Sequence, residues 1–209
     1  MLNSNKNKTY MIVLTGLFAA ITFLGVQVFR IPLPAAVGAP FIHFGNALVV
    51  LSVLLLGFKY GAAAGAIGLG IFDLLNGYAS FAVFTMIEAI IVAAVVATIF
   101  RLFKHDDSKF YVILLIAIAA GITKIIESYV QGVIVSLIAG TTLQVASIAS
   151  FVSLYATVIN SISTVILVSL LYYPLKKIML KNGHYLMCKL LIKKTPLQSE
   201  FPLIVMESF

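Results

Sequence analysis

YMIVLTGLFAAITFLGVQVF, residues Tyr10 to Phe29, carries no charge along its whole length and follows Lys6 and Lys8. A helix needs roughly 20 apolar residues to cross the hydrocarbon of a bilayer, and this run meets that length. A secretory signal is the competing reading, because Ala35-Ala36-Val37-Gly38-Ala39 offers a small-residue stretch soon afterwards. A signal core is shorter, about 7–15 residues, so the segment reads as a retained membrane helix.

Similar runs follow along the chain: about 41–58, 60–75, about 80–103, and a long stretch from Phe110 to Tyr173. That stretch is too long for one helix and too short for three. It divides into spans near 111–135 and 152–174, with a polar link at Gly140-Thr141-Thr142-Leu143-Gln144. The chain of 209 residues is 62% hydrophobic and 10% charged, with mean hydropathy +1.12. A soluble domain is about a quarter charged. The expectation is an all-α integral membrane protein of six transmembrane helices, with residues 1–181 as the membrane domain. Residues 182–209 read as a basic cytoplasmic tail, on the inner membrane surface or disordered.

The charges orient the bundle. With the N-terminus cytoplasmic, the inner side holds Lys6, Lys8, Lys59, Arg101, Lys104, Lys109 and the tail lysines, 12 of the 14 basic residues. Arg30 alone is outside, and Lys124 lies within a span. This is the positive-inside bias of an even number of helices with both termini cytoplasmic. The net charge of +7 is therefore topological, and nucleic acid is not expected as a partner. Membrane lipid is.

Polar residues inside the spans cluster at one depth. With a rise of about 1.5 Å per residue, Asp73 lies about 21 Å beyond Lys59, and Glu88 about 20 Å before Arg101. Lys124 and Glu127 lie about 22 and 27 Å beyond Lys109, and Asn160 about 24 Å before Lys176. His43 and Asn46 fall about 24 and 20 Å before Lys59. His43/Asn46, Asp73/Asn76, Thr85/Glu88 and Lys124/Glu127 are i,i+3 pairs, which share a helix face. Ionisable groups in a span are costly and mark sites. The pattern describes a pocket open to the outside above an apolar floor, and a channel or stand-alone carrier would need polar lining through the whole thickness.

Small residues repeat at four-residue spacing in Gly61/Gly65, Ala64/Gly68 and Ala66/Gly70, the pattern of closely packed membrane helices. No Walker, Gly-x-Ser-x-Gly or His-Glu-x-x-His motif occurs, and three scattered His with Cys188 make no metal site. Catalytic residues are therefore not expected. The rival readings are an intramembrane enzyme using Glu88, Lys124 and Glu127, which turns over alone, and an ion-coupled carrier, which transports alone.

Arg30-Ile31-Pro32-Leu33-Pro34, Phe41-Ile42-His43-Phe44-Gly45-Asn46-Ala47, Leu54-Leu55-Leu56-Gly57-Phe58-Lys59-Tyr60-Gly61-Ala62 and Asp73-Leu74-Leu75-Asn76-Gly77-Tyr78 form a recognisable series. It resembles the substrate-binding S components of energy-coupling factor (ECF) vitamin transporters, in the riboflavin/hydroxymethylpyrimidine/pyridoxine-like branch. Weaker matches are Glu127, Asn160 and Tyr173-Pro174-Leu175-Lys176-Lys177. The resemblance covers about residues 10–180. It implies six helices, a vitamin bound near the outer face of a bacterial cytoplasmic membrane, and no ATPase or cofactor site in this chain. It implies partners as well: a transmembrane T component and two ABC-type ATPases that use ATP, with delivery by toppling. Residues carried over are Gly16 and Ala20 for docking and Ile31 to Pro40 for an outer lid. His43, Asn46, Asp73, Asn76, Glu127 and Asn160 would line or border the pocket, joined by Glu88 and Lys124. Glu88-Ala89 and Ser163 depart from the pattern, at places where relatives often have Lys and Gln. The charge balance suits a small neutral or weakly cationic ring with donors, a hydroxymethylpyrimidine- or pyridoxine-like vitamin precursor, with riboflavin next.

Overall fold

The computed structural model describes residues 4–33 and 41–181, six helices and one short hairpin. The tail from 182 onward and residues 34–40 of the expected lid lie outside the described residues. The elements are α1 (Ser4–Gln27), β1 (Ile31–Pro32), β2 (Phe41–Ile42), α2 (Gly45–Leu56), α3 (Phe58–Leu75), α4 (Ala82–Leu102), α5 (Phe110–Ile138) and α6 (Leu143–Lys181).

Five helices are long and apolar enough to cross a membrane: within α1 (Lys8–Gln27), α3, α4, α5 and α6. Their outward faces expose large apolar side chains, among them Val13 at 62% and Leu170 at 65%. Backbone groups in lipid must be satisfied internally, which helices do; the chain is a multi-pass membrane protein.

The second expected span, 41–58, takes a different form. Phe41–Ile42 pairs antiparallel with Ile31–Pro32, Ile31 opposite Ile42 and Pro32 opposite Phe41. Only 12 residues remain helical as α2, about 18 Å of rise. α2 compensates for its length by position. It is packed by α1, α3, α4 and α6, and Leu51, Leu54, Leu55 and Leu56 are almost wholly buried. The expected link at 140–144 shrinks to a turn. Gly140 adopts φ +86°, a left-handed conformation that glycine takes without strain, and α6 restarts at Leu143. α6 also runs through Pro174 to Lys181, 39 residues in all.

The small-residue stretch of α3 does what its spacing suggests. A Cβ on Gly61 would lie 2.4 Å from Val53 Cα, and one on Gly65 would lie 2.8 Å from a Val49 methyl. Both glycines let α3 press on α2. A Cβ on Gly68 would meet Ala19 O of α1 at 2.6 Å, and one on Gly70 would meet Met86 of α4 at 2.9 Å. One helix thus seats three neighbours. Gly57, at φ +84°, reverses the chain between α2 and α3 within a single residue. Ser52 Oγ lies 2.7 Å from Val49 O and 3.0 Å from Gly61 O, sharing its proton across that reversal.

The core has two parts. The larger joins Met11, Phe18, Leu51, Leu54, Leu55, Leu56, Val96, Phe100, Ile113, Ile116, Val168 and Tyr172, at the end where the basic residues lie. The smaller joins Val26, Val49, Ala66, Leu69, Phe72 and Ala89, with Phe23, Phe41 and Tyr78 against it, at the hairpin end. At the basic end, buried Asp107 fastens α6 to the α4–α5 connection. Tyr172 Oη donates to its Oδ2 at 2.6 Å, Lys176 Nζ lies 2.6 Å from the same oxygen, and Tyr173 Oη donates to its carbonyl at 3.2 Å. Beside it, the Ser108 hydroxyl and N–H donate to Asp106 Oδ1 at 2.5 and 3.1 Å, which holds the exposed Asp106 carboxyl below its ordinary value.

Candidate functional site

The polar layer and the seam between the two cores meet at a cavity with about 350 Å³ of empty space, counting the part continuous with its mouth. Its wall takes Asn46, Val49 and Val50 from α2, Leu69 from α3, and Glu88, Ala89 and Val92 from α4. Ala120, Gly121 and Lys124 come from α5, and Ser161 and Thr164 from α6. Five helices contribute, and α1 does not. Ligand pockets are mostly apolar with a few placed polar groups, and this wall has that character.

The small residues on the wall explain why the space exists. Ala89, Ala120 and Gly121 stop short where larger side chains would fill the gap. A Cβ on Gly121 would come within 3.2 Å of Ser161 Cβ, so α5 and α6 pass closely there while leaving room on the cavity side.

Among the polar residues singled out from the sequence, Asn46, Glu88 and Lys124 stand on the wall. Lys124 Nζ donates to Glu88 Oε2, joining α5 to α4. Glu88 is 7% exposed, and its Oε1 is buried with no hydrogen-bond partner among the described residues. Glu127, one turn along α5 from Lys124, has both carboxylate oxygens buried without a partner among the described residues. Asp73 is 8% exposed, with Oδ2 likewise unpartnered and Thr85 beside it. An unmet buried acceptor is rare in a folded protein and calls for an explanation; three carboxylates on three neighbouring helices share this condition.

His43, Asn160 and Asn76 are placed differently. Asn160 Oδ1 accepts from the His43 backbone N–H at 3.0 Å, and its Nδ2 donates to Phe41 O at 3.0 Å. One side chain of α6 thereby pins the hairpin strand β2 over the cavity's neighbourhood. His43 Nδ1 accepts from Gly45 N–H at 3.1 Å, fixing the ring at the start of α2. Asn76 ends α3, its Nδ2 and N–H both donating to Phe72 O at 2.9 and 3.1 Å. These three border the site through the backbone they hold, and none is on the cavity wall.

Ser161 and Thr164 reach the wall without having been singled out. Serine and threonine in helices usually satisfy themselves on a nearby carbonyl. Here Thr164 Oγ1 does so on Asn160 O at 2.8 Å, while Ser161 Oγ crosses to Gly121 O at 3.1 Å. Their i,i+3 spacing, continuing the Asn160 face, was the available signal.

Above the site, the Arg30 guanidinium lies 5.1 Å from the Phe41 ring centroid and 5.9 Å from that of Tyr78. Phe41, Phe72 and Tyr78 cluster with ring centroids 5.7–6.2 Å apart, Phe72 stacked on Tyr78 and Phe41 tilted to both. On α1, Gly16 and Ala20 lie exposed on the outward face, and a Cβ on Gly16 would meet nothing within 4 Å.

No curated protein and no solved structure gives a match to the chain. The family model described as ECF-type riboflavin transporter, S component, matches residues 6–177. That range takes in every residue of the cavity, the hairpin and the Asp107 fastening. The chain belongs to this family of transporter S components.

Proposed function

We propose that the protein is the vitamin-binding S subunit of an ECF-type importer, holding its ligand in the cavity between α2 and α6. The observation that carries this is the cavity itself: five helices converge on one space whose wall is apolar apart from a few polar groups. On the basic side of that space lies the continuous apolar core around Leu51, Leu54 and Ile116. Such a floor suits a subunit that receives solute from one side and needs a partner to release it on the other. The family supports that partnership: a transmembrane T component, docked on the α1 face that includes Gly16 and Ala20, and two ABC-type ATPases that supply ATP. Delivery is then by toppling of the loaded subunit within that complex. The basic end faces the cytoplasm, with both termini there and six membrane segments, α2 being the short central one.

The ligand is a hydroxymethylpyrimidine- or pyridoxine-like ring. A few polar groups around a narrow apolar slot suit one substituted heterocycle, and Glu88, Asp73 and Glu127 against Lys124 suit a neutral or weakly cationic one. Riboflavin is the second reading, favoured by the name of the matching family. Isothermal titration of the purified chain in detergent against 4-amino-5-hydroxymethyl-2-methylpyrimidine, pyridoxine and riboflavin tests this. Submicromolar binding of a small ring is expected. Tight binding of riboflavin alone selects the second reading, and binding of none of the three overturns the vitamin-binding function.

A further inference from the structure

Polar groups on the cavity wall differ in what they have left to offer. The Ser161 hydroxyl proton is spent on Gly121 O, and the Thr164 proton on Asn160 O. Toward the cavity these two can present only lone pairs. Lys124 Nζ donates to Glu88 Oε2, which holds the carboxylate by one oxygen across the α4–α5 contact. The second oxygen, Oε1, is buried without a partner among the described residues, on a residue only 7% exposed that stands on the wall. Asn46 and Lys124 keep donors, so a ligand can also be met as an acceptor. The unmet demand is for a donor.

Resting on the vitamin-binding reading above, we infer that Glu88 is the specificity-determining residue of the cavity: its Oε1 accepts a hydrogen bond from a ring N–H or exocyclic amine of the ligand. Lys124 is the positioning residue, since it turns the carboxylate so that Oε1 rather than Oε2 is available. The apolar wall of Val49, Leu69 and Val92 grips the faces of a flat ring and has no polar group to offer its atoms. Discrimination therefore falls on the edge that meets Glu88. A buried acceptor left unmet discriminates more sharply than one exposed to water, because no solvent replaces the missing donor. The ligand class is a planar heterocycle with a donor nitrogen on its edge, and an analogue of the same shape without that N–H is rejected.

The test uses matched pairs on the full chain in detergent. One pair is 4-amino-5-hydroxymethyl-2-methylpyrimidine and its analogue with hydrogen in place of the amino group. The other is riboflavin and N3-methylriboflavin. The wild type is expected to prefer the N–H-bearing member of whichever pair binds by about 10- to 100-fold, the range for a hydrogen bond to a charged group. In Glu88→Gln this preference is expected to fall to about threefold or less, because the amide is a weaker acceptor and its grip by Lys124 is changed. Should Glu88→Gln fail to fold, Glu88→Asp keeps the charge for Lys124 while withdrawing Oε1, and it must lower the preference too. Equal binding of both members by the wild type overturns the inference and leaves the vitamin-binding reading standing. So does a Glu88→Gln protein that weakens both members alike, since that is the mark of a merely structural ion pair. Binding of none of the four compounds overturns the vitamin-binding reading, and this inference with it.

Discussion

A methyl group on Gly61 would have its carbon 2.4 Å from Val53 Cα and 2.6 Å from Val53 N. Backbone cannot swing aside as a side chain can, so Gly61→Val is expected to destabilise the protein by about 2 kcal/mol or more, the upper range for overpacking. Thermal unfolding in detergent, monitored by circular dichroism, measures this. Gly16→Val is the contrast: with nothing within 4 Å, it is expected to change stability by less than about 0.5 kcal/mol while weakening co-purification with a T component. A destabilised Gly16→Val protein would remove α1's outward face as the docking surface. The Lys124–Glu88 pair is the other residue-scale test. Removing one partner leaves a buried charge unpaired, and Lys124→Met is expected to cost about 3–5 kcal/mol. The double substitution Lys124→Met with Glu88→Leu is expected to recover most of that loss, because apolar replacements of a buried pair are often neutral. Stability without ligand binding in the double variant would assign the pair to recognition.

At the scale of elements, Asn160 and Asp107 each tie α6 to something distant in sequence. Asn160→Ala strands His43 N–H and Phe41 O, two backbone groups that are expected to cost about 1–3 kcal/mol if left buried without partners. Faster amide exchange in β2 is the local sign. Asp107→Ala releases Tyr172 and Lys176, and exchange should rise in the last two turns of α6. That end is already short of one backbone bond, because Pro174 has no N–H for the Leu170 carbonyl. Unchanged exchange there would show that the Asp107 contacts do not hold the helix end.

These elements also show what could be read in advance. The bounds of α3 and α4 and the start of α5 were legible because uninterrupted apolar runs end at charges or glycines, whereas α1 begins at Ser4 and runs through Lys6 and Lys8 ahead of its apolar run. Phe41 to Phe58 carries Gly45 and Gly57, between which α2 lies, but hydropathy alone could not divide it into a two-residue strand and a 12-residue helix. That division depends on partners far away: Ile31–Pro32 and Asn160. Nor could Pro174 be read as interior to a helix, since the contacts that hold the helix beyond it come from Asp107, about 70 residues earlier. The site was legible where it broke the rules of its surroundings. Asn46, Glu88 and Lys124 are conspicuous in apolar segments. Ser161 and Thr164 are not, because hydroxyls are common in membrane helices and usually serve their own backbone.

The whole molecule places a mostly apolar cavity with a few polar groups between a hairpin-covered end and an apolar, basic end. As proposed, this bundle carries a vitamin and works only with partners that hydrolyse ATP. Native mass spectrometry of the protein purified from its host in mild detergent puts both halves of that claim into a single spectrum. The expected result is a complex of this chain with one other membrane subunit and two ATPases, together with a small-molecule mass that matches a pyrimidine-, pyridoxine- or flavin-type vitamin. A lone chain, reproducibly free of ligand and partners, would contradict it and return weight to a self-sufficient carrier or an intramembrane enzyme.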